Sequence, residues 1–92
     1  MNILQSLLFQ KQKKRLFKRQ IKTLDLEIRK IIKNPLIGQE KKGTLRGVRV
    51  HKFHIGKQLF LLAYEVEANI MRLIMIGSHE NYYRDLSKYY DK

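Results

Sequence analysis

Two apolar runs, Leu59–Val66 (LFLLAYEV) and Ile70–Ile76 (IMRLIMI), are separated only by Glu67-Ala68-Asn69. Such nearly continuous apolar runs are typical of strands buried on both faces, and the short polar insert predicts a tight turn. Upstream, Val48–Ile55 (VRVHKFHI) carries β-branched and aromatic residues in partial alternation and ends at Gly56-Lys57. We therefore predict three consecutive strands joined by tight turns, an antiparallel meander.

The flanking segments have helical periodicity. One buried helix face is indicated by apolar residues at steps of three and four: Ile21, Leu24, Ile28, Ile31 and Ile32. Asn34-Pro35 ends that helix, because proline disfavours helical geometry in the residue before it. A second helical stretch over Ser6–Phe17 and a break near Lys18–Arg19 predict an antiparallel helical hairpin. The alternative is one helix of about 28 residues, long for a small domain.

We expect one domain spanning residues 1–92, because half of this chain is too short to bury a core of its own. The tail from Glu80 to Tyr90 has tyrosines and Leu86 at helical spacing, which predicts a C-terminal helix. The expected fold class is α+β, with an N-terminal helical hairpin packed on a three-stranded antiparallel sheet and a C-terminal helix.

Charge is distributed unevenly along the chain. There are 20 lysines and arginines against 8 acidic residues, a net charge of +12, and residues 1–57 carry 16 of the basic residues but 3 of the acidic ones. A basic surface of this kind attracts polyanions and speeds their encounter. A nucleic acid or an acidic protein is therefore the expected partner.

Several classes of site are excluded by composition. Without cysteine the chain has no disulfide, thiolate metal site or cysteine nucleophile. No glycine-rich phosphate loop, HExxH pattern or paired-carboxylate site is present, so we expect no metal and no cofactor. No apolar run approaches the roughly 18 residues that would span a bilayer, and no leader with a cleavage site is recognisable. We expect a cytoplasmic protein with no membrane partner.

The residues suited to proton transfer near neutral pH are three histidines, His51, His54 and His79. His51 and His54 are three residues apart, so on a flat strand their side chains point to opposite faces. Lys52 would share the face of His54, and Arg49 that of His51. We interpret His51 as an exposed polar residue; for His54 a functional and a merely exposed role remain open.

His79 lies in Gly77-Ser78-His79, directly after the last apolar run and four residues before Tyr83. If Glu80 starts the final helix, His79 and Tyr83 lie one turn apart. An imidazole and a phenol on a basic surface suit RNA, whose bases stack on aromatic rings. Alternatively, Ser78 caps the helix and the tyrosines pack on the sheet.

The order of elements and four short motifs resemble the RelE/ParE superfamily of bacterial type II toxins, over nearly the whole chain from about Phe9. The motifs are Asn34-Pro35…Gly38, Leu45-Arg46-Gly47, LLAYEV (Leu61–Val66) and IGSH (Ile76–His79), followed by Tyr83. RelE-like and YafQ-like members are metal-independent ribonucleases that cut mRNA in the ribosomal A site. ParE-like members poison DNA gyrase. The Gly77-Ser78-His79 ending with an aromatic residue four positions later is similar to the YafQ branch.

The resemblance implies a toxin that inhibits translation as a ribosome-dependent mRNA endoribonuclease, held in check by an acidic antitoxin protein. The alternatives are a gyrase inhibitor without nuclease activity and a harmless RNA-binding or ribosome-binding module. Leu61 stands where RelE has a catalytic arginine, so the RelE version of the centre is absent. An N-terminal strand common in the family is short or missing in this sequence.

The site implied by the resemblance combines proton-transfer groups, cations and aromatic rings. His54 would act as base or phosphate contact, His79 as general acid, and Tyr83 would complete the catalytic set. Phosphate and RNA would be held by Arg46, Arg49, Lys52 and Tyr82. The lysine cluster Lys11–Arg19 would grip ribosomal RNA without taking part in chemistry.

Overall fold

A computed structural model describes residues 1–91. The chain forms β1 (Asn2–Gln5), α1 (Leu7–Lys14), α2 (Lys18–Lys33), β2 (Gln39–Glu40), a 3-10 turn (Gly43–Leu45), β3 (Arg49–Ile55), β4 (Gln58–Glu67), β5 (Ile70–Ser78) and α3 (Tyr82–Tyr90). The strands form one sheet in the order β1-β5-β4-β3-β2. The fold is therefore α+β, as predicted.

The predicted meander is present, but the sheet has five strands instead of three. β3, β4 and β5 pair antiparallel in sequence, β2 pairs antiparallel with β3, and β1 pairs in parallel with β5, Ile3 lying opposite Met71. The N-terminal strand, expected to be short or missing, is present and is short, four residues. The hydrophobic pattern of β1 is weak in the sequence, because Ile3 is the one residue of its four that is partly buried.

A helical hairpin is present, and its break lies at Arg15–Phe17 and not near Lys18–Arg19. Ser6 caps α1, its Oγ accepting a hydrogen bond from the Phe9 amide at 2.9 Å. Phe17 has an extended backbone, and its amide donates to Oε1 of Gln20 at 2.8 Å, which starts α2. The reading as one long helix is therefore excluded.

Each face of the sheet is covered, which explains the continuous apolar runs of β4 and β5. On one face, which we call the hairpin face, the core comprises Phe9, Leu24 and Ile31 with Phe53, Phe60, Leu62, Tyr64, Met71, Leu73 and Ile76. On the other, the α3 face, it comprises Leu45, Val48, Val50, Leu61, Ala63, Ile74 and Met75 with Tyr82 and Leu86. The register shifts between Ala63 and Tyr64, which lie opposite Met75 and Leu73, so Ile74 is an extra residue in β5.

Where β1 ends, backbone groups at the edge of β5 form hydrogen bonds with two side chains, one from the cap of α1 and one from α1 itself. The Ser6 hydroxyl donates to the Ile74 carbonyl at 2.6 Å, and the Ile76 amide donates to Oε1 of Gln12 at 2.9 Å. Unpaired strand edges invite association with other chains. This edge is closed without a further strand.

The loop after α2 is fixed by one buried hydroxyl. Oη of Tyr64 donates to the Pro35 carbonyl at 2.7 Å and accepts from the Gly38 amide at 2.9 Å. A Cβ on Gly38 would lie 2.7 Å from that oxygen, so the loop passes too close to the ring for any larger residue. The LLAYEV motif and the Asn34-Pro35…Gly38 motif therefore depend on each other.

Candidate active site

Two histidines from distant parts of the chain lie in one row across three strands. His54 on β3 is directly opposite Leu59 on β4, and the His79 amide donates to the Leu59 carbonyl at 3.2 Å. Neighbouring strands are about 4.8 Å apart, so the α-carbons of His54 and His79 lie about 10 Å apart on either side of Leu59. Both histidines are exposed.

The two imidazoles share the α3 face. Phe53 and Ile55 pack into the core under the helical hairpin, so His54 between them points the other way. Gly77 is on the α3 face, because a Cβ there would lie 3.5 Å from the Tyr82 ring. His79 is one residue beyond the end of β5, but its amide still pairs with the Leu59 carbonyl of β4, so the alternation extends to it and directs it to the same side. Leu59, which separates them, packs against the core on that face.

His51 lies on the opposite face and belongs to the core. Its Nε2 is 2.8 Å from Oε1 of Glu27 on α2, and its ring stacks on Phe53 with centroids 5.7 Å apart. With 9% of its surface accessible, His51 is not the exposed polar residue that we expected. The reason is that α2 brings a carboxylate over this position, 24 residues earlier in the chain.

The three predicted phosphate-binding cations are separated in space. Lys52 is exposed on the face of His54, two residues before it, and Arg46 is exposed directly after the 3-10 turn. Arg49 faces the hairpin side, where its guanidinium donates to the carbonyls of Leu36 and Gly38 at 3.3 and 2.8 Å. Arg49, predicted to hold phosphate, therefore lies on the face of His51, as alternation indicated, and its guanidinium secures the loop after α2.

The expected start of the C-terminal helix is also wrong. Ser78 is the last residue of β5, and α3 begins at Tyr82 after Asn81, which has a left-handed backbone with φ 58°. His79 lies in the bend before the helix, where its carbonyl accepts from the Tyr82 amide at 3.4 Å. His79 and Tyr83 consequently do not lie one turn apart on a helix.

The two tyrosines have different environments. Tyr82 is 2% exposed and its hydroxyl donates to the Met75 carbonyl at 2.6 Å; burial raises the pKa of this phenol. The prediction that Tyr82 contacts RNA is wrong, because no face of its ring is free. Tyr83 packs edge-on against Tyr82, and its buried hydroxyl has no hydrogen-bond partner within residues 1–91.

One cation near Tyr83 was not identified from sequence. Nζ of Lys41 lies 4.6 Å from the centroid of the Tyr83 ring, a cation–π contact. Lys41 follows β2 in a polar loop, and nothing in the sequence indicates that this loop reaches α3.

The arrangement of His54, Lys52 and His79 offers two proton-transfer groups and a cation on one accessible surface. Among the described residues, no cluster of three histidine or acidic side chains could hold a metal ion. No helix in residues 1–91 is long and apolar enough to cross a membrane. Two exposed imidazoles flanking one position can take a proton from one oxygen and deliver a proton to another.

Residues 3–87 match the family model described as "ParE-like toxin of type II bacterial toxin-antitoxin system". The chain is similar to the YoeB/ParE toxin from Agrobacterium tumefaciens (18% identity, TM-score 0.71, covering 86% of this chain and 99% of that one). It is also similar to a chain of the intact E. coli RelBE toxin–antitoxin complex (16% identity, TM-score 0.69, covering 86% and 96%). The isolated E. coli RelE toxin is a further structural relative (15% identity, TM-score 0.66, covering 96% and 97%).

At these identities the structural likeness shows the fold. No curated protein is significantly similar in sequence.

Proposed function

The chain belongs to the ParE-like toxins of type II bacterial toxin–antitoxin systems, and on this premise we propose that it inhibits translation by cutting mRNA on the ribosome without a metal ion. The protein would then act in the cytoplasm, where ribosomes translate.

The observation that carries the proposal is the row of His54, Leu59 and His79. RNA cleavage without a metal uses the substrate's own 2′-hydroxyl as nucleophile and forms a bond from that oxygen to phosphorus. The bond from phosphorus to the leaving 5′-oxygen breaks, which leaves a 2′,3′-cyclic phosphate and a 5′-hydroxyl. One group must take the 2′ proton and another must supply a proton to the 5′-oxygen. Two exposed imidazoles about 10 Å apart at their α-carbons suit these two roles.

We assign His54 as the base and His79 as the acid. Lys52, two residues before His54 on the same face, would stabilise the extra negative charge of the transition state. Arg46, exposed after the 3-10 turn, is the remaining candidate for a phosphate contact. Tyr83 would act through packing, because its hydroxyl is buried.

The second candidate function is inhibition of DNA gyrase without nuclease activity. The observation in its favour is Leu61, fully buried in the core of the α3 face at the position where RelE-like relatives are expected to have an arginine. A supercoiling assay with purified gyrase tests this candidate. Inhibition of supercoiling, together with intact mRNA on translating ribosomes, would replace the first function by the second.

A type II toxin functions with a protein antitoxin, and we propose that this partner is acidic and partly apolar. The net charge of +12 favours an acidic chain. Exposed apolar side chains available for burial include Met1, Leu4 and Leu7 at one edge of the sheet and Leu36 and Ile37 after α2. Copurification with an acidic protein is expected, and failure to bind any acidic partner would contradict this point.

The decisive experiment maps mRNA ends after brief expression of the wild type, His54→Ala and His79→Ala. Each substitution should lower cleavage by about 10²–10⁴-fold, the usual contribution of a proton-transfer group. Lys57→Ala, at an exposed residue in the turn of the β3–β4 hairpin, is the matched control and should cleave normally. Circular dichroism should confirm that all variants are folded. Undiminished cleavage by both histidine variants would refute the assignment.

A further inference from the structure

The outer face of α2 is a continuous cationic surface. Lys18, Arg19, Lys22, Arg29 and Lys33 are all exposed, and at 100° per residue their side chains fall within an arc of about 100°. We call these five residues the α2 stripe. It extends along a helix of 16 residues, about 24 Å at 1.5 Å per residue.

The charge of the α2 stripe is not neutralised within the molecule. The acidic residues of α2 are Asp25 and Glu27, which lie to either side of it; Asp25 is 3.4 Å from Lys13, and Glu27 binds Lys30 and His51 at 2.8 Å. None of the five stripe cations makes an ion pair in the part of the chain that the structure describes. Because like charges repel, keeping five of them along one helix face is unfavourable unless a polyanion binds there.

Most exposed large apolar side chains of the described residues lie outside the α2 stripe. Within the arc of the stripe, the one large apolar side chain is Leu26, half exposed. A protein segment that docks on a helix needs apolar anchors at spacings of three and four, which this face does not have. A nucleic-acid backbone needs cations alone. The composition of the stripe thus favours phosphates over an acidic peptide.

We propose that the α2 stripe is a docking surface for the phosphate backbone of double-stranded RNA. The choice of RNA over DNA rests on the proposed function, in which the protein works on the ribosome. The stripe's outward direction is away from the sheet, and His54 and His79 lie beyond the sheet on the α3 face. A structured RNA and an mRNA can therefore bind at the same time.

The test measures equilibrium binding of the purified chain to an RNA duplex of about 16 base pairs over a range of salt concentrations. Lys22→Gln, Arg29→Gln and Lys33→Gln are combined in one variant; these side chains are exposed, and glutamine retains helix propensity. The salt slope should fall by about one for each cation removed, and affinity near 0.1 M salt by about 10²–10³-fold.

The matched control combines Lys42→Gln, Lys57→Gln and Lys88→Gln, which remove the same charge from exposed positions elsewhere and should reduce affinity far less. Equal losses in the two triple variants would overturn the inference. Binding of poly-glutamate that equals RNA binding would assign the stripe to an acidic protein, and equal binding of a DNA duplex would overturn the choice of RNA. The binding assay contains no translated mRNA, so it measures duplex binding independently of mRNA cleavage. The RNA-docking role of the α2 stripe and the nuclease activity can therefore be refuted separately.

Discussion

Nε2 of His51 lies 2.8 Å from Oε1 of Glu27, and this pair joins β3 to α2 inside the hairpin face. Because a carboxylate only accepts hydrogen bonds, the imidazole is the donor. Glu27 also accepts from Nζ of Lys30 at 2.8 Å. The pair is thus a structural link, on the side of the sheet away from the other two histidines.

Removing this link should destabilise the protein. His51→Ala leaves the largely buried Glu27 carboxylate short of one partner, so the free energy of unfolding should fall by about 1.5–3 kcal/mol, the usual value for a hydrogen bond to a charged group. Urea denaturation measures the change. His54→Ala, an exposed residue on the same strand, should change stability by less than about 0.5 kcal/mol. Similar stability of the two variants would contradict the structural role of His51.

Acid should weaken the same link. Burial acts to raise the pKa of Glu27, but hydrogen bonds from Lys30 and His51 outweigh it and hold the pKa below the ordinary 4.5. A carboxyl group with a lowered folded-state pKa contributes stability above the unfolded-state pKa, and this contribution is lost as pH falls through the folded-state value. The free energy of unfolding of the wild type should therefore decline below about pH 4.5 more steeply than that of Glu27→Gln. Glu80→Gln, an exposed control, should retain the wild-type slope.

The loop after α2 should be sensitive to the Tyr64 hydroxyl. Tyr64→Phe leaves the Gly38 amide and the Pro35 carbonyl without their partner, at a cost of about 1–3 kcal/mol. Gly38→Ala should cost a similar amount, about 1–3 kcal/mol, because its methyl group would overlap the phenol. Gly77→Ala is the matched control, since a Cβ there meets the Tyr82 ring at an ordinary 3.5 Å. Thermal or urea unfolding measures these changes. A larger loss of unfolding free energy in Gly77→Ala than in Gly38→Ala would refute this account.

Removing the hydroxyl should have different effects on protein stability at the two adjacent tyrosines Tyr82 and Tyr83 of α3. Tyr82→Phe removes a buried bond to the Met75 carbonyl and should lower the free energy of unfolding by about 1–3 kcal/mol. Tyr83→Phe removes a buried hydroxyl without a described partner, so stability should be unchanged or slightly higher, and mRNA cleavage should persist. Loss of cleavage in Tyr83→Phe with normal stability would show that the hydroxyl takes part in the reaction.

The sequence was most informative where side-chain periodicity is strong. LFLLAYEV and IMRLIMI predicted β4 and β5 because both faces of these strands are buried, and α2 followed from its apolar face. β1 and β2 were missed because they are short edge strands: β1 buries part of Ile3, and β2 has two exposed residues. The helix break at Arg15–Phe17 contains neither glycine nor proline, so its position was misjudged by two to three residues.

Individual site residues were harder to predict than strands. Alternation correctly separated His51 from His54, but the partner of His51 is Glu27, and no local pattern reports a contact across 24 residues. The roles of Tyr82 and Tyr83 depend on the rotational phase of α3. That phase is set by the start of α3 at Tyr82, after Asn81 in a left-handed conformation. Asparagine is favoured in that conformation and at an N-cap, but the spacing of the tyrosines does not reveal this start.

The extra residue Ile74 in β5 also determines which side of the sheet carries the second imidazole. With a regular register, every residue after Leu73 would shift by one place relative to β4. His79 would then lie on the hairpin face, the same side of the sheet as His51. One extra residue in β5 therefore decides whether this surface carries two histidines or one. The proposed cleavage by His54 and His79 therefore predicts that related chains with all three histidines but without this extra residue do not cut RNA in this way. Comparisons within the family need to count strand residues as well as match side chains.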